Sequence, residues 1–149
     1  MRTTAPIETA GTTVEELLAP RLRLAITRMA RRLRQEAGTD LGPSQVAALA
    51  TIERYGPLSP SELAERERIK RPTVTRIAAN LEGVGLIERV RDPADGRSSI
   101  LSATPRAKAL LRRLRARKTA FLARRLDDLD AEDRRTLERA AELLEGMLE

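Results

Sequence analysis

The chain has 149 residues and a net charge of +6, a balance that suits an anionic partner such as nucleic acid. It contains no cysteine, which excludes disulfides and thiolate metal sites, and no histidine, which removes the commonest general base. Only Tyr55 and Phe121 are aromatic, so we expect both to be buried in a core of aliphatic side chains.

The sequence predicts a cytoplasmic protein that lacks a membrane span. Its first residues, MRTTAPIETAGTT, lack the apolar centre of a secretion signal, and no apolar run approaches the ~20 residues that cross a bilayer. We find no glycine-rich phosphate loop, no nucleophile elbow and no carboxylate pair on an apolar face. We therefore expect no catalytic residues, no cofactor and no metal site.

The N-terminal part is predicted to be a tail followed by one helix. Residues 1–12 show no hydrophobic period and are expected to be mobile. A capping box at Thr13 and Glu16 starts a helix that runs to about Glu36, in which Pro20 is expected to produce a kink or to begin the main part. The apolar stripe of this helix consists of Leu22, Ile26, Met29 and Leu33.

Three further helices are predicted in the middle of the chain. The first runs from Pro43 to Tyr55 and is ended by Gly56-Pro57. The second is short and begins at the capping box of Ser59 and Glu62. The third covers about residues 72–84. The second and third of these helices, joined by a tight turn, indicate a helix-turn-helix.

A hairpin and two more helices complete the predicted order. Strand-like alternation at 86–91 and 98–103 surrounds turn-forming residues, which indicates a two-stranded hairpin. A long helix follows from Thr104, and Asp130 caps the last one. The fold class is therefore mainly α with a small β-hairpin wing, a winged helix-turn-helix lobe beside a helical lobe.

The helix at 72–84 has one face suited to a DNA major groove. Helical spacing predicts that Val74, Ile77, Ala78 and Leu81 face the core. The outward and flanking positions are Pro72, Thr73, Thr75, Arg76, Ala79 and Asn80. Arginine can fork onto guanine, asparagine onto adenine, and threonine can meet a thymine methyl group or a phosphate. An ordinary solvent-exposed helix could present the same face, but the helix before it and the hairpin after it favour DNA.

The start of that helix is predicted to bind a phosphate. Pro72 biases Arg71 away from helical geometry, so Arg71 is the expected N-cap residue. Its side chain cannot accept hydrogen bonds from the free amides of the first turn, whereas a phosphate can, with Lys70 and Arg71 pairing to it. Water around an exposed helix end is the alternative.

Two other basic segments invite a comparable interpretation. Arg97 follows Asp95-Gly96 where the wing projects, so it is expected to enter the minor groove, with Asp95 holding its guanidinium. A plain hairpin turn with a solvated arginine is the alternative.

The helix at 106–125 holds nine basic residues and no acid. We expect most of these to be solvated or paired with Glu15, Glu16 or the acids at 127–133.

The chain resembles the MarR family of winged-helix transcription regulators over most of residues 13–148. The resemblance is carried by LGPSQVAALATI, by LSPSELAERERIKRPTVTRIAANLEGVGLIERV and by the wing DPADGRSSILSATPRAKALL. Two departures from the family pattern are Pro72, where a serine is frequent, and Ala107, where a glycine is frequent.

This resemblance implies a homodimer that represses or otherwise regulates transcription at a pseudo-palindromic operator in double-stranded DNA. The DNA-binding lobe would span 41–105, and the dimerisation lobe would combine 13–37 with 106–148. Helix 72–84 would enter the major groove and wing 92–98 the minor groove. The apolar stripes at 22–33, 107–122 and 137–148 independently predict a partner, because they lie outside the DNA-binding lobe.

The resemblance also implies an effector, since family members often respond to small aromatic or phenolic ligands. The candidate pocket residues are Met29, Leu33, Tyr55 and Phe121, for which ordinary core positions are the alternative. The lack of cysteine and histidine argues against the oxidant-sensing and zinc-sensing branches. The competing function is a basic helical module that binds nucleic acid or a partner without sequence specificity, although two aromatic residues are few for stacking single strands.

Overall fold

A computed structural model describes residues 13–149, which divide into two compact units after Leu33. The first unit holds most of helix α1 (Val14–Ala37), and the predicted tail lies outside the described residues. The predicted capping box starts α1: the Thr13 amide donates to Glu16 Oε2 at 2.8 Å, and the Glu16 amide donates to Thr13 Oγ1 at 3.3 Å. Pro20 lies inside the helix.

The second unit contains the remaining elements in the predicted order. These are α2 (Pro43–Tyr55), α3 (Pro60–Glu67), α4 (Arg71–Gly83), β1 (Ile87–Arg91), β2 (Ser99–Ala103), α5 (Pro105–Asp127) and α6 (Ala131–Gly146). The two strands pair antiparallel, with Ile87 opposite Ala103 and Arg91 opposite Ser99. The mainly α class with a two-stranded hairpin is thus confirmed.

The turn between α4 and β1 explains why the first strand begins one residue later than predicted. Gly85 has a φ of +74°, a left-handed conformation that glycine adopts without a steric penalty. The Leu86 amide then donates to the Leu81 carbonyl at 2.9 Å, so Leu86 closes the helix end and packs in the core before the strand starts.

The core of the second unit lies between the helix-turn-helix, the hairpin and the first half of α5. All four predicted inward residues of α4 are buried, and α2 and α3 contribute Leu49, Ile52 and Leu63. Phe121 is buried as expected. Tyr55 is not: it is 47% exposed, because it lies in the last turn of α2 beside two arginines.

A backbone bridge ties the hairpin to the helix-turn-helix. The Leu101 amide donates to the Leu58 carbonyl at 2.8 Å, and the Leu58 amide donates back at 3.1 Å. The chain reaches Leu58 through Gly56, where a Cβ atom would lie 2.4 Å from the Ile52 carbonyl oxygen. The wing therefore has a fixed base.

The predicted apolar stripes differ in how far the chain itself covers them. The α5 stripe does not need a partner, since Ala107, Leu111, Leu114 and Phe121 are buried within the chain. That part of the expectation was wrong because α5 packs on α2 and β2. Helix α6, by contrast, has no buried residue. The exposed apolar side chains include Leu22, Ile26 and Met29 of α1, Leu137 and Leu143 of α6, and Leu148 just after α6.

Candidate nucleic-acid interface

Helix α4 presents an outward face of cationic, small and polar side chains. Pro72, Thr75, Arg76, Ala79 and Asn80 are exposed, and Thr73 is half-buried. Arg76 makes no hydrogen bond or ion pair with any residue from 13 to 149. Its guanidinium is therefore available to a ligand, and removing it breaks no hydrogen bond or ion pair within this part of the chain.

The first turn of α4 differs from the prediction. The N-cap is Lys70 and not Arg71, because the Thr73 and Val74 amides donate to the Lys70 carbonyl at 3.0 and 3.1 Å. These hydrogen bonds outweigh the conformational preference that Pro72 imposes on its predecessor. Thr73 has used its amide and proline has none, so this helix start offers a phosphate fewer free amides than expected.

Both cationic side chains that were predicted at the start of α4 lie there. Lys70 is exposed, and Arg71 donates from Nη1 to Ser61 Oγ on α3. Ser61 is positioned by the predicted α3 cap, in which the Ser59 amide donates to Glu62 Oε2 at 2.6 Å. That hydrogen bond, together with one between the two side chains, holds the pKa of Glu62 below its usual value of 4.5.

A residue that sequence reasoning missed, Gln45, lies beside the outward face of α4. Its Nε2 donates to Asn80 Oδ1 at 2.8 Å, and its Oε1 accepts from the Gly42 amide at 2.9 Å. A depression of about 620 Å³ between α2 and α4 is lined by Gly42, Pro43, Ser44, Gln45, Arg76, Ile77 and Asn80. The glutamine three residues after Gly42 signals a helix cap, but nothing local signals its contact with Asn80.

The wing turn is shaped by aspartate side chains. Asp95 Oδ1 accepts from the Arg97 backbone amide at 3.0 Å, and Asp92 Oδ1 accepts from the Ala94 amide at 2.9 Å. The expectation that Asp95 holds the Arg97 guanidinium was therefore wrong, because its carboxylate is used in a local turn. The Arg97 side chain is exposed at the tip.

Three of the nine basic residues of α5 have partners other than the acids we expected, while most of the other six are exposed to solvent, as expected. Arg115 pairs with Glu53 of α2 at 3.1 Å, and the guanidinium of Arg106 donates to the Val84 carbonyl at 3.0 Å. Arg117 donates to the Ala37 carbonyl at 3.0 Å. These arginines join α5 to neighbouring segments of the second unit, since backbone carbonyls at helix ends lack intrahelical donors.

Of the candidate pocket residues, Tyr55 lies in a basic cleft. Its ring is contacted by Arg54 and Arg66, whose guanidinium carbons lie 5.3 and 4.1 Å from the ring centre. The cleft has a volume of about 500 Å³ and is lined by Ala50, Thr51, Arg54, Tyr55, Arg66 and Arg115. Phe121 is not among the lining residues, and Met29 and Leu33 belong to the first unit.

Across residues 13–149, no group of three histidine, cysteine, aspartate or glutamate side chains is placed to hold a metal ion. Within the same range, no helix combines the length and the apolar character that crossing a membrane requires.

Comparison with known proteins relates this architecture to regulators of transcription. A family model described as the MarR family matches residues 41–99. An HTH-type transcriptional regulator of Mycobacterium tuberculosis (strain CDC 1551 / Oshkosh) is 34% identical over 133 residues, which cover 89% of this chain and 93% of that protein. The HTH-type transcriptional repressor MdtR of Bacillus subtilis (strain 168) is 35% identical over 91 residues, 61% of this chain and 59% of that one. A crystal structure of a Pseudomonas aeruginosa PA01 protein described as a transcriptional regulator has a TM-score of 0.82 at 34% identity, covering 92% and 98% of the two chains.

Proposed function

The chain belongs to the MarR family of helix-turn-helix transcriptional regulators, and from that membership we propose that it binds a pseudo-palindromic operator in double-stranded DNA as a homodimer. The observation that carries the proposal is the outward face of α4, on which Arg76 is exposed and has no partner among residues 13–149. Residues 72–84 enter the major groove, where Thr73, Thr75, Arg76 and Asn80 meet bases or phosphates.

The two flanking basic groups have separate roles in this proposal. Lys70 and Arg71 neutralise a phosphate at the start of α4. Wing 92–98 lies along the minor groove, with Arg97 inserted and Asp95 shaping the turn that presents it. Pro72 fixes the angle at which the chain enters the recognition helix.

The homodimer is supported by the apolar faces that the single chain leaves open. Leu137 and Leu143 on α6 are 48% and 54% exposed, and Leu148, just after the helix, is 88% exposed. Several large apolar side chains exposed on one helix and just after it mark a surface that a partner can cover. Leu143→Glu should therefore shift sedimentation from dimer to monomer, whereas Arg135→Glu on the same helix should not. A dimer that survives substitution of all three leucines would contradict this interface.

We further propose that the regulator is a repressor that acts in the cytoplasm and is released by a small aromatic or phenolic effector. The similarity to a Bacillus subtilis repressor supports the first part. The cleft beside Tyr55 supports the second, because its ring and three guanidinium groups suit an aromatic anion. Salicylate titrated into the operator complex should dissociate it, and Tyr55→Ala should abolish that response. Dissociation unchanged by this substitution would place any effector elsewhere.

Selection of bound sites from a random duplex library tests the proposed function directly. The purified protein should recover an inverted repeat whose half-sites are separated by about one helical turn. In the recovered operator, Arg97→Ala should lower affinity while leaving the major-groove preferences unchanged. Binding that is salt-sensitive and featureless would instead favour the basic module without sequence specificity.

A further inference from the structure

The contact between Gln45 and Asn80 joins the start of α2 to the outward face of the recognition helix. The two residues are 35 positions apart in the chain, yet their side-chain amides are 2.8 Å apart. Both line the same depression as Arg76. A side chain outside α4 therefore touches one that is placed to read a base.

The hydrogen-bonding groups fix the orientation of both amides. The Gly42 amide can only donate, so Gln45 must turn its Oε1 toward it. The Nε2 of Gln45 can only donate, so Asn80 must turn its Oδ1 toward Gln45. The Nδ2 of Asn80 is thereby turned away from Gln45, and Asn80 is an exposed residue of α4.

This orientation decides what Asn80 can recognise. A free asparagine amide presents either a donor or an acceptor, because it rotates. Held by Gln45, Asn80 presents the Nδ2 donor together with the second lone pair of Oδ1. Adenine offers the matching pair in the major groove, an N7 acceptor and an N6 donor, whereas cytosine offers only a donor.

We propose that Gln45 is a specificity-determining positioning residue, which holds the Asn80 amide so that it favours adenine, with two hydrogen bonds, over cytosine, with one, at one operator base pair. The Gly42 amide is the fixed point of the chain of hydrogen bonds that runs through Gln45 to Asn80. This inference rests on the proposed function, since it requires α4 to lie in the major groove.

Four variants test the inference in the site-selection assay. Asn80→Ala identifies the base pair concerned, because preference there should disappear. Gln45→Ala should reduce the adenine preference at that same base pair by about 3- to 10-fold and leave the others unchanged. Ser44→Ala is the matched control: it lines the same depression and should change no base preference.

Gln45→Glu is the most specific test of the proposed orientation of the Asn80 amide. A glutamate still accepts from the Gly42 amide but cannot donate to Asn80, so the Asn80 amide should rotate and present Oδ1 to the base. Preference should then move from adenine toward cytosine at that base pair only. Because the helix cap survives in this variant, its melting temperature should stay near that of the wild type.

The outcomes separate this inference from the proposed function. If the wild type recovers no operator, both fail. If the wild type recovers one but Asn80→Ala changes no position, or if both Gln45 variants keep the wild-type preference at the Asn80 position, only the inference fails. The Gln45–Asn80 contact would then be a structural tie between two helices.

Discussion

Replacing Arg76 with alanine should remove sequence discrimination at one base pair of each half-site without weakening the fold. The side chain is exposed and has no partner among residues 13–149, so the free energy of unfolding should change by less than about 0.5 kcal/mol. A guanidinium forked onto guanine O6 and N7 contributes about 1–3 kcal/mol of discrimination, or about 5- to 140-fold.

Fluorescence anisotropy with the selected operator and its single-base variants measures this loss. Titrations at several salt concentrations separate a base contact from a phosphate contact, because each phosphate contact contributes about 0.9 to the slope of log K against log salt. A base contact predicts lost discrimination with an unchanged slope. Arg76→Lys should behave in the same way, since it keeps the charge but loses the fork.

An exposed arginine on α5, Arg112, supplies the control for a simple change of net charge. Arg112→Ala should leave the base preference intact. The reasoning is refuted if Arg76→Ala weakens binding to every sequence equally and lowers the salt slope by about 0.9, because Arg76 would then contact a phosphate.

Three further variants test the core, the α3 cap and the proposed phosphate contact. Leu101→Ala should lower the free energy of unfolding by about 2–5 kcal/mol in urea, since its side chain is fully buried, and a loss below about 1 kcal/mol would contradict its place in the core. The hydrogen bond from Ser59 keeps the pKa of Glu62 below 4.5, so its stabilisation is complete above pH 4.5 and is lost as pH falls through the lower folded-state value. The difference in melting temperature between wild type and Glu62→Gln should therefore shrink below pH 4.5, and a constant difference would count against this cap. Replacing Lys70 and Arg71 together by alanine should reduce the salt slope of operator binding by up to about 1.8, and an unchanged slope would refute their contact with phosphate.

The elements whose signals are local could be predicted from the sequence. The α3 cap is encoded by Ser59 and Glu62, which are three residues apart, and the structure forms both reciprocal hydrogen bonds. The buried face of α4 follows from helical spacing alone, and all four of its predicted residues lie in the core. In these cases the partners are fixed by the chain's own geometry, so no knowledge of the tertiary structure was needed.

The errors concern side chains that choose between local and distant partners. Asp95 was expected to bind the Arg97 guanidinium, but its carboxylate accepts from the Arg97 backbone amide, whose position is fixed by the turn. Gln45 could be recognised as a cap residue, but its contact with Asn80 depends on how α2 packs against α4. The exposed position of Tyr55 likewise depends on two arginines, one of them from α3. A periodic pattern carries none of this information.

The bridge at Leu58 also determines how the wing behaves when many copies of the protein are crowded together. A free strand edge is a template on which another chain can add a strand. The outer edge of β2 is occupied at Leu101 by Leu58, and the outer edge of β1 carries Glu88, Arg89 and Arg91 in a strand of five residues. We therefore expect that the wings of neighbouring copies do not pair edge to edge into a continuous sheet. Contacts between copies would then be made by the helices.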